Sequence, residues 1–240
     1  KSTGLFSEIV FVVEDNLWES DLSDLISNVF MSPVQGINQN ESEYNVLQIA
    51  PFEFKSFLQT HKNIVFVKND IVDTSIKNKW AQDQLVFQLS WKKDTADFLF
   101  KSKKIKTIFD LNEIRNIRKS KSINSNKALE EKIKLKFNID VVLPEEYVLA
   151  KESSNFFWAT YNPANIEEIK HMLFYSFVPK EENLQKEILY NTDSIFSKYL
   201  LGSRENSFVK IEPLYPPFFA KNILRGLWRL ENGFMGGPFL

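Results

Sequence analysis

The 240-residue sequence has no cysteine, only two histidines, His61 and His171, and only seven glycines. Without cysteine there is no disulfide framework, thiolate nucleophile, iron–sulfur cluster or cysteine-ligated zinc. Two histidines cannot make a multi-histidine metal centre, so neither a metal nor a cofactor is expected. Scarce glycine leaves little material for loops that cradle phosphates, and no phosphate loop, dinucleotide fingerprint, zincin helix, nucleophile elbow or calcium loop occurs. No run of about 20 apolar residues is present, so no segment reads as a membrane-spanning helix. These gaps leave no catalytic residue to nominate.

Aromatic and apolar material is plentiful. Phenylalanine occurs 22 times and 43% of the residues are hydrophobic. A chain of this length buries roughly 70 to 75% of its unfolded surface, enough for a core without metals or cross-links. The formal charge of −1 hides an uneven distribution. Residues 1–100 carry 8 basic and 14 acidic side chains, residues 101–136 carry 12 and 4, and residues 137–240 carry 10 and 13. The basic middle stretch reads either as a solvated helix face or as a surface for anionic headgroups. Aromatic residues do not interleave with its lysines after Phe109, so no base-stacking platform, and no nucleic acid partner, is expected.

Hydrophobic periodicity orders the first half. The continuous run Ile9 to Val13 reads as a strand covered on both faces. A helix follows, with Asn16 as cap, Glu19 reaching back to it, and Trp18, Leu22, Leu25, Ile26 and Val29 as its buried stripe. Pro33 and Gly36 end it. Strands are expected over 44–49, 63–68 and 85–91, and a helix carrying Phe54, Phe57 and Leu58 inward after Pro51. Ile105, Ile108, Leu111, Ile114 and Ile117, with Phe109, predict a long helix over 101–118 that buries one stripe. The polar run Lys119 to Asn126 reads as a linker or helix break and suggests a boundary near residue 125, separating an N-terminal region (1–125) from a C-terminal one (126–240).

In the second half, a helix over 127–136, strands over 137–143, 147–151, 156–161 and 169–178, a helix over 184–199 ended by Gly202, and strands over 207–212 and 223–230 are expected. Asn232-Gly233 signals a two-residue hairpin whose returning strand starts at Phe234. With the chain stopping at Leu240, the hairpin reads as truncated. The fold class is therefore α+β, two regions each with a mostly antiparallel sheet covered by helices.

Candidate functional residues are few. His61 reads as a structural histidine after a helix, and His171 as a satisfied or exposed strand residue. The acidic pairs Glu145-Glu146, Glu167-Glu168 and Glu181-Glu182 fall at turns, where solvation explains them. Most distinctive is the stretch from Arg225 to Phe239. Arg225, Trp228, Phe234, Gly236 and Gly237 could form a binding groove with an aromatic floor and a backbone open to close approach. Core packing at a hairpin corner is the alternative.

Some of these motifs carry a family resemblance. The runs Glu8 to Val13 with Leu17-Trp18, Pro33 to Glu41, Trp80-Ala81-Gln82-Asp83-Gln84, Arg225-Gly226-Leu227-Trp228 and Phe234 to Phe239 together resemble an uncharacterised family of Bacteroidetes envelope lipoproteins, domain of unknown function 4837. The resemblance spans almost the whole chain. It implies a signal peptide and lipid-modified cysteine preceding Lys1, with Lys1 to Gly4 as part of a tether, and further strand and helix beyond Phe239. It also implies a place in the cell envelope, on the periplasmic or surface side of the outer membrane, attached only through that N-terminal lipid. No established active site comes with the family. The expected function is a non-enzymatic binding or assembly module whose partner is an envelope protein or a cell-wall component. A carboxylate-dependent hydrolase of envelope polymers is the alternative, and a basic surface at 101–136 facing membrane is a third reading.

Overall fold

The computed structural model describes residues 1–240 except Asp70, Ile166, Glu167, Glu181 and Lys221. The first sheet contains β1 (Glu8–Val12), β2 (Asn45–Ile49), β3 (Asn63–Lys68), β4 (Thr74–Lys77) and β5 (Leu85–Ser90), in the order β2-β1-β3-β5-β4. The α+β class holds, but here the antiparallel expectation fails: β2, β1, β3 and β5 run parallel and only β4 opposes its neighbour. The continuous apolar runs already carried the reason, since parallel strands need cover on both faces.

That cover is visible residue by residue. Ile9, Phe11 and Val13 join Val65, Val67, Leu85 and Leu89 on one side, under α2 (Ser23–Phe30) and α3 (Thr95–Lys121). Val10, Val12, Ile64 and Val86 form the other side with Phe54, Phe66 and Trp80. Edge-to-face aromatic pairs close both layers, Phe87 on Phe109 at 5.4 Å and Phe54 on Trp80 at 5.6 Å.

Several local readings change. The first helix begins as α1 (Asp15–Leu17) behind Glu14, without an Asn16 capping bond, and passes through a wider π turn at Trp18–Leu22 before α2. Ser20 bonds back to the Leu17 carbonyl there at 2.6 Å, offering the backbone an alternative to regular helix. The segment after Pro51 makes only one 3₁₀ turn, Ser56–Thr60, and leaves Phe57 exposed while Phe54 is buried.

α3 shows the largest departure. Its buried residues are Phe98, Ser102, Ile105, Phe109 and Glu113, whereas Ile108, Leu111, Ile114 and Ile117 are exposed. Each residue advances about 100° around a helix, so a strict three-residue repeat slips about 60° per step and cannot stay on one face. The steps of four, three, four and four from Phe98 to Glu113 keep to the sheet.

Two antiparallel sheets follow. α4 (Lys127–Phe137), capped by the Asn126 side chain on Leu129 N at 3.2 Å, packs on β7 (Phe156–Tyr161) and β8 (Lys170–Tyr175) of a sheet whose third strand is β6 (Val148–Ser153). The expected strand 137–143 is instead a helix end and an irregular crossing: Asn138 takes φ 55° and closes α4, and Leu143 is buried against it. α5 (Leu184–Tyr199) bridges the two sheets. Thr192 Oγ1 meets the Tyr175 hydroxyl at 2.7 Å, and Asp193 accepts from Ile211 N at 2.7 Å. The last sheet is built on the long β11 (Ile223–Glu231), paired with β9 (Phe208–Ile211), β10 (Phe218–Ala220) and β12 (Gly236–Phe239). The hairpin returns at Gly236, not Phe234, through a four-residue turn in which Asn232 takes φ 56°.

Candidate functional site

The C-terminal hairpin is shaped by glycines opposite aromatics. Trp228 pairs with Gly237 and Gly226 with Phe239. A Cβ on Gly237 would lie 3.1 Å from Trp228 Nε1, and one on Gly226 would lie 2.7 Å from the Phe239 ring. Each ring therefore lies over the partner strand's backbone: a side chain at Gly226 would push the Phe239 ring aside, and one at Gly237 would make the Trp228 ring give by a few tenths of an ångström.

A loop from the first half meets this hairpin. Gly36, at φ +86°, approaches so closely that a Cβ would sit 2.7 Å from the Arg225 carbonyl oxygen. Arg225 Nη1 in turn donates to the Gln35 carbonyl at 3.3 Å. Between the loop and the hairpin lies a groove of about 720 Å³, a volume in the range of ligand sites. Val34, Ile37, Tyr215, Leu227, Trp228 and Phe239 supply apolar and aromatic surface to it.

Of the five residues singled out in the sequence, Arg225, Trp228, Gly236 and Gly237 line the groove. Phe234 does not: it stands 93% exposed at the hairpin turn, with the Arg204 guanidinium 5.4 Å from its ring centroid. Sequence reading missed the contributions of Asn38, Gln39, Glu41, Glu212 and Tyr215. The Pro33 to Glu41 motif was visible, but nothing in it tells that the loop crosses to β11.

The groove's charges are mixed. Arg229 donates to Glu231 Oε2 at 2.9 Å, while its Nε is buried without a hydrogen-bond partner among the described residues. Glu212 accepts from Leu214 N at 2.9 Å and so holds its own turn. Glu41 also lines the groove.

The histidines are placed elsewhere. His61 is 6% exposed, with Nε2 lying 3.2 Å from Glu8 Oε2 and Nδ1 lying 3.3 Å from the Asn63 carbonyl. Gly4 covers its ring so tightly that a Cβ would sit 2.4 Å from Nε2. The Leu5 N–H bond is the largest influence on Glu8; against desolvation, it and His61 hold the carboxyl below its ordinary range. The ring's partners among the described residues are this acid and the Asn63 carbonyl. His171 on β8 receives the Trp158 indole N–H at 3.2 Å and meets Thr160 Oγ1 at 3.0 Å, and partial covering lowers its pKa.

Among the acidic pairs, Glu145 and Glu146 lie at an exposed turn and Glu168 is tied to Lys170 at 2.9 Å. Glu167 and Glu181 lie outside the described residues. No group of three or more histidines and carboxylates among the described residues could hold a metal.

A second groove, of about 530 Å³, runs between the end of α3 and the β7–β8 sheet, with Tyr147 and Tyr161 beside Arg118, Lys121 and Lys170. Burial pushes the Tyr147 hydroxyl above its ordinary pKa.

A family model described as a domain of unknown function (DUF8532) matches residues 2–122, just over half of the chain. The chain belongs to that family. Residues 125–240 of this DUF8532 member match a second model, also a domain of unknown function (DUF4837). The DUF4837 likeness therefore lies in the C-terminal half, and the motifs from Glu8 to Gln84 fall within DUF8532. No curated protein and no solved structure matches the chain.

Proposed function

We propose that this protein is a non-enzymatic binding module whose ligand lies in the groove between the Pro33–Glu41 loop and the β11–β12 hairpin. One observation carries the reading: a cavity of about 720 Å³ gathers an aromatic surface, two guanidiniums and a strand edge with little side chain. Such a site takes an extended ligand with an apolar body and an anionic group, the guanidiniums orienting the anion. The motif resemblance supports placing it in the cell envelope, lipid-anchored, with an envelope protein or cell-wall component as partner.

A hydrolase is the second reading, favoured only by the presence of Glu41 and Glu212 in the groove. Glu212 is committed to its own turn.

The test is co-purification from the native envelope, comparing wild type with Arg225→Ala and Trp228→Ala. A stable companion retained by wild type and lost by both variants is the expected result. Equal recovery by all three, or no companion together with polymer cleavage that disappears in Glu212→Gln, overturns the reading.

A further inference from the structure

α3 presents to solvent a face that its packing does not explain. Phe100 is 58% exposed, Leu111 58% and Ile114 60%. At about 100° per residue these three stand opposite the stripe of Phe98, Ile105 and Phe109, whereas exposed Ile108 and Ile117 lie on the two flanks. Ile114 and Ile117 also border the second groove. Exposed Lys103, Lys104, Arg115, Arg118, Lys119 and Lys121 stand among them. The other lysines of the helix are neutralised: Lys101 by Asp73 at 2.6 Å and Lys106 by Glu43 at 3.0 Å. None of the six has a carboxylate partner among the described residues, and the Lys104 ammonium instead lies 4.1 Å from the Phe100 ring centroid. From Phe100 to Lys121 the face runs roughly 30 Å along the helix.

Solvation alone accounts for lysines on a wet face, but not for three large apolar side chains left in water on the same side. Nucleic acid would use the cations and leave Leu111 and Ile114 unsatisfied. A bilayer with acidic lipids uses both, phosphates meeting the cations while apolar side chains enter the headgroup–acyl boundary. Because its inner face is locked onto the sheet through Phe98, Ile105 and Phe109, the helix would lie along the surface as part of a rigid body.

We propose that the outward face of α3 docks onto an anionic membrane surface. Its charge complements acidic headgroups, and Phe100, Leu111 and Ile114 share the side turned to the bilayer. The proposal is independent of the ligand groove.

The test is sedimentation of the 240-residue chain with vesicles of phosphatidylcholine alone or mixed with phosphatidylglycerol. Lys103→Glu/Lys104→Glu/Arg115→Glu/Arg118→Glu and Leu111→Ser/Ile114→Ser are compared, with circular dichroism confirming that both fold. Wild type should pellet with the mixed vesicles only, and binding should collapse at about 1 M salt, where the screening length is near 3 Å. The charge-reversed variant should lose at least a hundredfold in affinity, at roughly fivefold or more per cation. The serine variant should lose roughly tenfold or more while keeping the salt dependence. Failure to bind mixed vesicles overturns the proposal, as does equal binding by the variants. So does self-association or nucleic acid binding that the substitutions abolish while vesicle binding is unaffected.

Discussion

The two halves of the molecule handle polar groups in opposite ways. Around the parallel sheet, polar side chains are enclosed, some of them in paired clusters, while Ser90 Oγ, Ser102 Oγ and Asn63 Oδ1 are buried with no hydrogen-bond partner among the described residues. Asn63, fully buried, donates to Glu113 Oε1 at 2.9 Å, and Lys62 Nζ lies 3.1 Å from the same carboxylate. Gln84, 1% exposed, donates to the His61 carbonyl at 2.6 Å and accepts from Trp80 N at 2.9 Å. In the second half the antiparallel sheets keep exposed faces: all six residues of β6 are exposed, and α5 buries only Thr192 and Phe196. A parallel sheet needs cover on both sides, while an antiparallel one tolerates water on one. Both grooves involve antiparallel sheet, where side chains remain available, and the first half contributes a loop or a helix end to each.

The sharpest way to break this contrast is through the cores. Phe109→Ala, at a site with no exposure, should cost about 3 to 5 kcal/mol in denaturant unfolding, by lost burial and the cavity left against Phe87. Little loss would mean that α3 is loosely held. Removing Glu113 strips Lys62 and Asn63 of their shared acceptor, and Glu113→Ala should cost about 3 kcal/mol. An unchanged midpoint would show that water reaches the cluster and that the first half is less closed than described.

Substitution in the second half should separate binding from folding. Gly237→Val forces the Trp228 ring to shift and should cost about 1 to 2 kcal/mol while abolishing recovery of the envelope companion. Retained recovery would detach the groove from the function.

The smallest effect is acid sensitivity. Folding lowers the pKa of Glu8, and that of Glu130 through the Leu143 N–H and Lys127 against desolvation, both from an ordinary 4.5. Groups lowered on folding stabilise fully above the unfolded value and lose that contribution as pH falls through the folded one. Unfolding midpoints should therefore decline below about pH 4.5, and Glu8→Gln should reduce that decline by no more than about 1 kcal/mol. A midpoint that rises on acidification would contradict the assigned shifts.

Much was legible locally. The run Ile9 to Val13 specifies a strand buried on both faces, because no alternation offers water a side. Leu22, Ile26 and Val29 specify an inward helix stripe, and the absence of cysteine and scarcity of histidine removed whole chemistries. What tertiary structure decided is everything set by partners distant in the chain. Strand order in the first sheet, β2-β1-β3-β5-β4, depends on crossovers, which leave no mark on the hydrophobic pattern. The inward face of α3 is chosen by the sheet it meets, so of the every-third repeat only Ile105 lies inside and the rest winds around the exposed side. Gly36 against Arg225 joins residues 189 positions apart, and a groove formed by such a meeting exists only once the chain has closed on itself.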